Sequence, residues 1–340
     1  MLKEILYCAK CVTFFMFMCH GFQEMASLDC NFDEGPCNWV QDKTDAFDWL
    51  RESGYTPSSS TGPRSDHTTG DTYYIYIEAN GQNKGDIARL NSPEQKPGLY
   101  CLEFWYSMYG RHIGTLNVYI KSDGGNESVI FSRIGTTGTR DWKKMPIGID
   151  IPYGFKVVIE GIRGDGNKGD IAVDDISMTK GTCSDCDFDN GFCHWTQVDN
   201  DDFDWTLNEG QTQTSNTGPS SDHTSGNGRY IYIESIYRGN GDVAWLLSPF
   251  QHAGKYCFSF WYYMYGEQVD RLRVGLYING TGQALFRKTG NQGNNWIPGN
   301  IILKSTTDFQ VVLEGSIKNA GYHYEGDIAV DDVLMTSCQG

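Results

Sequence analysis

The chain repeats itself once, and this repeat constrains its fold more than any other feature. The segment 30–183 recurs as the segment 186–338. A repeat of this length is a duplicated domain, because the repeats of solenoid proteins are only about 20–50 residues long. We therefore predict two domains, over residues 28–185 and 186–340. Two cysteines and a tryptophan open each copy, 156 positions apart: Cys30, Cys37 and Trp39, then Cys186, Cys193 and Trp195.

Short segments with alternating apolar side chains predict that both domains are all-β. Leu116, Val118 and Ile120 would point to one side of a strand, and residues 272–278 repeat this alternation in the second copy. Apolar residues at every second position line one face of a strand. Turns rich in Gly, Asn and Asp separate such segments, as in residues 161–169. This pattern predicts two tandem antiparallel β-sandwiches, whose paired Trp and Tyr residues we expect in the cores.

Residues 1–26 have the composition of a secretory signal peptide. Lys3 supplies a positive charge, residues 12–18 form an apolar segment, and small residues follow at Gly21 and Ala26. The apolar segment is too short to cross a bilayer, which takes about 20 helical residues. No other segment is apolar enough to do so, and the C-terminus lacks the hydrophobic tail that a lipid anchor requires. We expect a secreted, extracellular protein without membrane insertion.

The charge of the chain limits its partners. Its 43 Asp and Glu residues outnumber its 27 Lys and Arg residues, which gives a net charge of −16. This charge repels nucleic-acid phosphates and anionic lipids, so we expect neither as a partner. The acidic residues have two interpretations: they keep the protein soluble, or some of them bind cations.

Eight cysteines remain after the predicted signal peptide is removed, as is typical of a secreted, disulfide-bonded protein. Eight cysteines allow 105 pairings, but the repeat confines four to each domain, and each four allow three pairings. The pairs that we favour are Cys30–Cys37, Cys101–Cys183, Cys186–Cys193 and Cys257–Cys338.

Cys183 and Cys186 have the spacing of a CxxC redox motif, but we do not interpret them as one. The first cysteine ends one copy, the second begins the next, and no βαβ pattern surrounds them. Only Ser184 and Asp185 lie between them. So short a connection predicts a rigid tandem rather than a flexible one.

Four tracts make each copy similar to the MAM domain, an extracellular module of receptor phosphatases, neuropilins and meprins. They are the paired cysteines before Trp39, the Gly-Pro…Asp-His-Thr stretch, the tract 101–110, and the closing Ile-Ala-Val-Asp-Asp. The resemblance covers residues 30–183 and 186–338. It implies a jelly-roll β-sandwich, the disulfide pairing favoured above, and a role in adhesion or homophilic association. The usual protease, phosphatase, LDL-receptor-like and transmembrane parts are not in this sequence, so the role of receptor-borne copies need not apply.

Repeated aspartates are candidate ligands of a structural Ca²⁺, although we expect no cofactor to be required. Calcium takes six to eight oxygen ligands, and carboxylates gathered from loops can supply them. The alternative is turn chemistry, since Asp is favoured in turns. The candidates are Asp33, Asp45, Asp66, Asp86, Asp174, Asp189, Asp201, Asp222, Asp242 and Asp331.

Two kinds of surface motif complete the candidate sites. Asn126 and Asn279 begin Asn-x-Ser/Thr sequences and are predicted glycosylation sites. Arg163, Gly164 and Asp165 form an integrin-type tripeptide. The second copy lacks this tripeptide, so the fold does not require it, and we favour a chance occurrence.

We predict an interaction or adhesion protein whose partner is an extracellular or cell-surface protein, including a second copy of itself. Two copies of one module would present two copies of any binding face. The alternative is a lectin-like jelly roll that binds carbohydrate with the help of calcium. We expect neither an enzyme nor catalytic residues, because the chain has no GxSxG or HExxH motif, and Asp66-His67 alone is no catalytic group.

Overall fold

The computed structural model describes residues 26–318 and 325–338, and every helix or strand element in these ranges is a β-strand. The predicted signal peptide lies outside them, apart from its last residue. The strands of domain 1 are β1 (Val40–Gln41), β2 (Leu50–Glu52), β3 (Tyr74–Ile77), β4 (Ile87–Asn91), β5 (Gly98–Ser107), β6 (Thr115–Ser122), β7 (Glu127–Ile134), β8 (Lys143–Ile151), β9 (Phe155–Ile162) and β10 (Ile171–Lys180). Those of domain 2 are β11 (Thr196–Gln197), β12 (Thr206–Glu209), β13 (Arg229–Glu234), β14 (Val243–Leu247), β15 (Gly254–Gly266), β16 (Val269–Ile278), β17 (Thr281–Thr289), β18 (Gly293–Ser305), β19 (Gln310–Ile317) and β20 (Gly326–Ser337).

Each domain is a sandwich of two five-stranded antiparallel sheets. In domain 1 the strand orders are β1-β4-β9-β6-β7 and β2-β3-β10-β5-β8. Domain 2 repeats them as β11-β14-β19-β16-β17 and β12-β13-β20-β15-β18. We call the second sheet of each domain the β5 sheet and the β15 sheet. The predicted all-β fold, with two tandem jelly-roll sandwiches, is confirmed.

A separate hydrophobic core lies between the two sheets of each domain. Leu116, Val118 and Ile120 of β6 point into the core of domain 1, and none is more than 2% exposed. Burial of such a side chain stabilises the fold by about 1.5–3 kcal/mol relative to leaving it in water. The alternation seen in the sequence is therefore the pattern that holds the two sheets together.

A glycine allows the sheets to approach each other at a buried tryptophan. The indole Nε1 of Trp49 donates a hydrogen bond to the carbonyl of Ala88 at 3.1 Å. A Cβ atom at Gly161 would lie 2.9 Å from Cδ1 of Ile77 and 3.1 Å from the Trp49 ring. Gly315 has the same role in domain 2. No side chain fits at this position without moving the core.

The expectation that paired Trp and Tyr residues fill the cores is correct only in part. Phe104 points into the core, and its neighbour Trp105 points out of the β5 sheet, because adjacent strand residues face opposite ways. Tyr74 and Trp142 also lie on this outer surface, where their ring centroids are 5.6 Å apart. The loop 53–73 folds over them, and Nε1 of Trp142 donates to the carbonyl of Ser65 at 3.0 Å. The β5 sheet and the β15 sheet therefore each have a second, smaller aromatic layer on their outer side.

Two disulfide bonds cross-link each domain, and their pairing is the one favoured from the sequence. One staples the start of the domain, and the other ties β5 or β15 to the end of the domain across 82 or 81 positions. Cross-links of this kind typically contribute about 2–4 kcal/mol to stability. The bonds are Cys30–Cys37, Cys101–Cys183, Cys186–Cys193 and Cys257–Cys338.

Candidate interaction surface

The Asp-His-Thr motif of each domain contacts the two aspartates of its last strand. In domain 1 the backbone N–H of His67 donates to Oδ2 of Asp174 at 2.9 Å, and Nδ1 of His67 lies 2.7 Å from Oδ2 of Asp175. Strand β10 bulges between Asp174 and Ser177, and Asp175 has a φ of +46°. Domain 2 makes the same contacts. Two motifs that are about 107 residues apart in sequence thus form one cluster.

Ring stacking and burial complete this cluster. The imidazole of His67 stacks on the indole of Trp105, with ring centroids 3.6 Å apart. Burial raises the pKa of Asp174 to about 7. These contacts fasten the loop 53–73 to the β5 sheet and cover one side of the Trp105 ring. The Asp-His-Thr motif therefore has a structural role, because it holds the loop 53–73 on the sheet. The side of the Trp105 ring that His67 covers is closed to a ligand.

All ten aspartates predicted as calcium ligands accept hydrogen bonds from backbone N–H groups. In the described part of the chain, one group of three His, Cys, Asp or Glu residues has its ligand atoms within 4.8 Å, namely Cys101, Glu103 and His194. Cys101 is in a disulfide and is not a metal ligand. Local turn bonds account for four of them, which are Asp66, Asp86, Asp222 and Asp242. The other six accept from distant strands or loops, and calcium binding by any of the ten stays a prediction. The ten aspartates are Asp33, Asp45, Asp66, Asp86, Asp174, Asp189, Asp201, Asp222, Asp242 and Asp331.

The predicted glycosylation sites lie at equivalent places in the two domains. Asn126 is exposed immediately before β7, and Asn279 is exposed in the turn between β16 and β17. Both are at the tip of a hairpin that ends in an edge strand of the first sheet. Their positions suit an attached glycan, and their occupancy stays a prediction.

The integrin-type tripeptide does not present its arginine freely. Nε of Arg163 donates to the carbonyl of Ala79 at 3.1 Å, and the guanidinium also contacts the carbonyl of Gly164. A Cβ at Gly164 would lie 2.0 Å from the carbonyl of His112, so the backbone here is packed closely. Asp165 is exposed. Because the arginine is bonded to its own domain, the structure favours a chance occurrence of the motif.

Domain 2 packs on the outer surface of strands β5 and β8 of domain 1. We call this surface the junction face; it consists of Cys101, Glu103, Lys144, Gly148 and Asp150. The carboxylate of Glu103 contacts Nζ of Lys144 at 2.9 Å and Nε2 of the domain 2 residue His194. Another domain 2 group, the Ser337 hydroxyl, donates to Oδ2 of Asp150 at 2.7 Å. Cys101 is 3% exposed as a result of this packing.

The two linker residues are part of the packed junction. Ser184 is fully buried, and its hydroxyl accepts a hydrogen bond from Nε2 of Gln251 at 3.0 Å. Its carbonyl accepts from the indole of Trp195 at 2.9 Å. Oδ1 of Asp185 accepts from the backbone N–H of Met335 at 2.8 Å. The connection is therefore bonded to domain 2 at three points, which restricts motion between the domains.

The charge of Glu103 is stabilised at the junction. Burial of its carboxylate opposes ionisation, but hydrogen bonds from His194 and Lys144 outweigh this and lower the pKa of Glu103 to about 2. In domain 2, Ser259 stands where domain 1 has Glu103, and in domain 1, Asn38 stands where domain 2 has His194. This Glu–His pair is thus a property of the junction and not of the module.

Within the described ranges, nothing packs on the surface of domain 2 that corresponds to the junction face. Cys257 lies between Ile302 and Thr336 in neighbouring strands, and Ser259 lies between Asn300 and Leu334. Ile302 is 58% exposed and Leu334 is 47% exposed, and Cys257 is exposed where Cys101 is buried. We call this surface the free face; it consists of Cys257, Ser259, Asn300, Ile302, Leu334 and Thr336.

Differences between the two faces exclude the same packing on both. Strand register places Ile302 of the free face at the position of Gly148 in the junction face. A Cβ at Gly148 would lie 3.8 Å from Oε1 of Gln251, so an isoleucine there would occupy the space that Gln251 enters. Leu334 replaces Ser177, and Lys304 replaces Asp150. The free face is more apolar than the junction face and lacks its acidic groups.

Sequence reasoning missed both faces, because it treated the two copies as equivalent. A signal was nevertheless present: Glu103 and His194 are charged or titratable where their counterparts, Ser259 and Asn38, are neutral. The expectation that the tandem presents two copies of any binding face is wrong for this surface. Domain 2 covers it in domain 1 and leaves it open in domain 2.

Two disulfide-bonded β-sandwiches, the second packed on the outer sheet surface of the first, define a tandem β-module protein. Comparison with known sequences gives its family. The MAM domain family, described as meprin/A5/mu, matches residues 30–184 and again residues 186–339. The chain belongs to the MAM family and contains two MAM domains. Proteins of this family are extracellular or cell-surface proteins of the adhesion type. In the described residues, no helix is long and apolar enough to cross a membrane.

Known relatives are much longer than this chain. Zonadhesin of Mus musculus is 28% identical over 348 residues, which cover 94% of this chain and 6% of zonadhesin. MAM domain-containing protein 2 of Homo sapiens is 37% identical over 157 residues, or 46% of this chain and 23% of that protein. MAM domain-containing glycosylphosphatidylinositol anchor protein 1 of Gallus gallus is 39% identical over 165 residues, or 45% and 17%. The chain thus spans less than a quarter of these relatives.

Comparison with solved structures gives matches at low sequence identity and low TM-score. The CBM22 tandem domain of Xyn10C from Paenibacillus barcinonensis is 13% identical, with a TM-score of 0.33, and covers 93% of this chain and 99% of its own. A cleaved adhesin domain of Lys-gingipain from Porphyromonas gingivalis is 15% identical, with a TM-score of 0.36, and covers 46% and 98%.

Proposed function

We propose that this chain is a secreted interaction protein that binds an extracellular or cell-surface protein through the free face of domain 2. The observation that carries the proposal is the pair of exposed apolar residues on this face, Ile302 and Leu334. They flank β15, and strand spacing puts them about 12 Å apart. Exposed apolar side chains that are grouped rather than scattered mark interaction sites.

The position of this pair supports the same proposal. The equivalent surface of β5 and β8 in domain 1 is already an interdomain contact, because domain 2 covers it. The free face offers the outer surfaces of β15 and β18, which correspond to the junction face, together with that of β20. It has more apolar side chains and Lys304 at its border. Secretion agrees with the signal-like residues 1–26 and with the four disulfides, which form in oxidising compartments.

Binding of purified, tagged protein to cultured cells tests the proposal. Ile302→Asp and Leu334→Asp should each reduce binding at least about tenfold, because a charge in an apolar contact loses more than about 1.4 kcal/mol. Flow cytometry over a range of concentrations measures the loss. The matched control is Ile134→Asp, at a residue of β7 that is 76% exposed and lies in the other sheet of domain 1. Unchanged binding by both free-face variants would refute the proposal.

A further inference from the structure

The outer surface of the first sheet differs between the two domains. In domain 1, Arg89 of β4 donates from Nε to Glu160 at 2.6 Å, and its Nη1 lies 3.2 Å from Glu127. In domain 2, strand register puts Trp245 of β14 at the position of Arg89 and Gly282 at that of Glu127. Ion pairs therefore cover this surface in domain 1, whereas domain 2 has an aromatic side chain there.

Two aromatic rings of domain 2 meet above the middle strand of this surface. Trp245 is on β14 and Tyr277 is on β16, and β19 lies between these strands. Their ring centroids are 6.0 Å apart, at an interplanar angle of 78°. Both side chains are partly exposed, and Trp245 lines a cavity of about 30 Å³ together with Val312 and Gly275. A cavity of this size has room for one water molecule or one hydroxyl group.

The indole N–H of Trp245 has no acceptor within the described part of the chain. Its Nε1 is buried, and no hydrogen bond from residues 26–318 or 325–338 reaches it. The equivalent groups of Trp49 and Trp205 in the two cores donate to backbone carbonyls. Buried polar groups of native proteins are nearly always hydrogen-bonded, so the Trp245 donor points to an acceptor from outside the chain.

Two arginines on β16 lie beside the aromatic pair and have donors to spare. Glu314, directly opposite Trp245, accepts from Nε of Arg271 at 3.2 Å and from Nη1 of Arg273 at 3.1 Å. Nη1 of Arg271 donates to Asp270 at 2.7 Å. Among the described residues, Nη2 of neither arginine forms a hydrogen bond, and the two side chains are 22% and 33% exposed. A guanidinium with free donors matches a carboxylate in both geometry and charge.

This surface is locally positive on an acidic chain. Arg287 of β17 is directly opposite Arg273, is exposed, and forms no ion pair with any described residue. With Arg271, three arginines here face two acidic residues, Asp270 and Glu314, whereas the whole chain has a net charge of −16. The arginines are specific to domain 2, because domain 1 has uncharged residues at their positions, namely Thr115, Asn117 and Ser132.

We propose that Trp245, Tyr277, Arg271 and Arg273 bind an oligosaccharide that carries a carboxylate-bearing sugar. The electron-rich face of an indole packs against the C–H groups of a sugar ring. The Trp245 N–H and the remaining arginine donors bond to hydroxyl and carboxylate oxygens. A long polysulfated chain is disfavoured, because the net charge of −16 repels a polyanion outside this surface. The site is on the other sheet from the free face, so it adds a second binding function.

Two sources supply such a sugar. One is a separate oligosaccharide, and the other is a glycan attached at the predicted site Asn279, which is two positions beyond Tyr277 in the turn after β16. The chemistry at the aromatic pair is the same for both. Asn279→Gln removes the attachment point and therefore distinguishes the two sources.

Isothermal calorimetry of the full-length protein with sialyllactose, a hyaluronan oligosaccharide and lactose tests the proposal. One of the two carboxylate-bearing sugars should bind at least about tenfold more tightly than lactose. Trp245→Arg and Arg273→Asn copy the residues of domain 1, and each should weaken this binding at least about tenfold. The matched control is Arg133→Asn, which removes an exposed arginine from β7 of domain 1 and should bind as the wild type does. Binding by Asn279→Gln but not by the wild type also supports the site, because the attached glycan then occupies it.

Three results would overturn the proposal. The first is that neither carboxylate-bearing sugar binds to the wild type or to Asn279→Gln. In the second, lactose or only a heparin-derived oligosaccharide binds as tightly as was expected of the carboxylate-bearing sugars. The third is an unchanged affinity in Trp245→Arg or Arg273→Asn. If Trp245→Arg does not fold by circular dichroism, Trp245→Phe replaces it, since it keeps a ring and removes the N–H, and its affinity should fall severalfold.

Discussion

At Gly161 the two sheets of domain 1 come so close that a methyl group does not fit. The Gly161→Ala variant should lose about 1–3 kcal/mol of unfolding free energy, because its Cβ would press on Ile77 and Trp49 in a packed core. Urea unfolding followed by tryptophan fluorescence measures the loss. Gly282→Ala is the control, since Gly282 lies in strand β17 with no heavy atom within 4 Å of its Cβ position. A loss in the control as large as that at Gly161 would contradict the packing argument.

Asp170 gives the stability of the protein a predictable dependence on pH. Burial raises its pKa in the folded protein to about 7, from 3.8 in the unfolded chain. The folded state therefore holds a proton that the unfolded state releases, and this contribution to stability is lost as the pH rises towards 7. Asp170→Asn is neutral at every pH, so it should gain stability relative to the wild type by about 1–3 kcal/mol between pH 4 and 8. Parallel stability profiles of the two proteins from urea unfolding would contradict this.

At the scale of elements, the alternation of apolar and polar residues along the strands made the β-sandwich predictable. In β6 the apolar positions Leu116, Val118 and Ile120 all face the core, as the sequence indicated. The same rule in β5 put Trp105 outside the core, although composition alone favoured the inside. Alternation identifies the two faces of a strand but not what covers each face. In β5 one face is covered by the other sheet, and the outer face is covered by a loop and by domain 2.

The bulge in β10 and the junction depend on contacts that local patterns do not contain. Asp175 turns toward the loop 53–73 because β10 bulges after Asp174, and its partner His67 is about 108 positions away. Glu103 has its partner His194 in the other domain. The disulfide pairing could be predicted because the repeat reduced the alternatives to three in each domain. No comparable restriction exists for side-chain pairs between domains.

The Glu103 contact should couple the stability of the two domains. Glu103→Gln removes the charge that faces His194 and Lys144 and should cost about 1–3 kcal/mol at neutral pH, since a hydrogen bond to a charged group contributes about this much. The pKa of Glu103 is lowered from 4.5 to about 2. Its contribution is therefore present above pH 4.5 and is lost as the pH falls through about 2.

Differential scanning calorimetry at pH 7 measures this effect on domain coupling. The wild type should unfold with the domains coupled, and Glu103→Gln should separate the transitions or lower the Tm. Ser259→Ala is the control at the equivalent position of domain 2. If the traces of Glu103→Gln and the wild type coincide, Glu103 does not hold the junction together.

At the scale of the whole molecule, duplication has produced two domains with different exposed surfaces. The fold is the same twice, but domain 2 covers the outer surface of β5 and β8 and leaves its own equivalent surface open. Avidity from two identical faces is therefore not available at this surface. Among the described residues, the tandem instead leaves the apolar surface of domain 2 uncovered.

The rate at which each disulfide is reduced in the folded protein tests this asymmetry most directly. Thiol–disulfide exchange requires access to a sulfur atom. Cys101 and Cys183 are 3% and 1% exposed beneath domain 2, whereas the equivalent Cys257 is exposed. Mild reduction without denaturant, followed by alkylation and peptide mass spectrometry, should open Cys257–Cys338 well before Cys101–Cys183. Equal rates for the two bonds, or faster opening of Cys101–Cys183, would contradict a junction in which domain 2 covers domain 1.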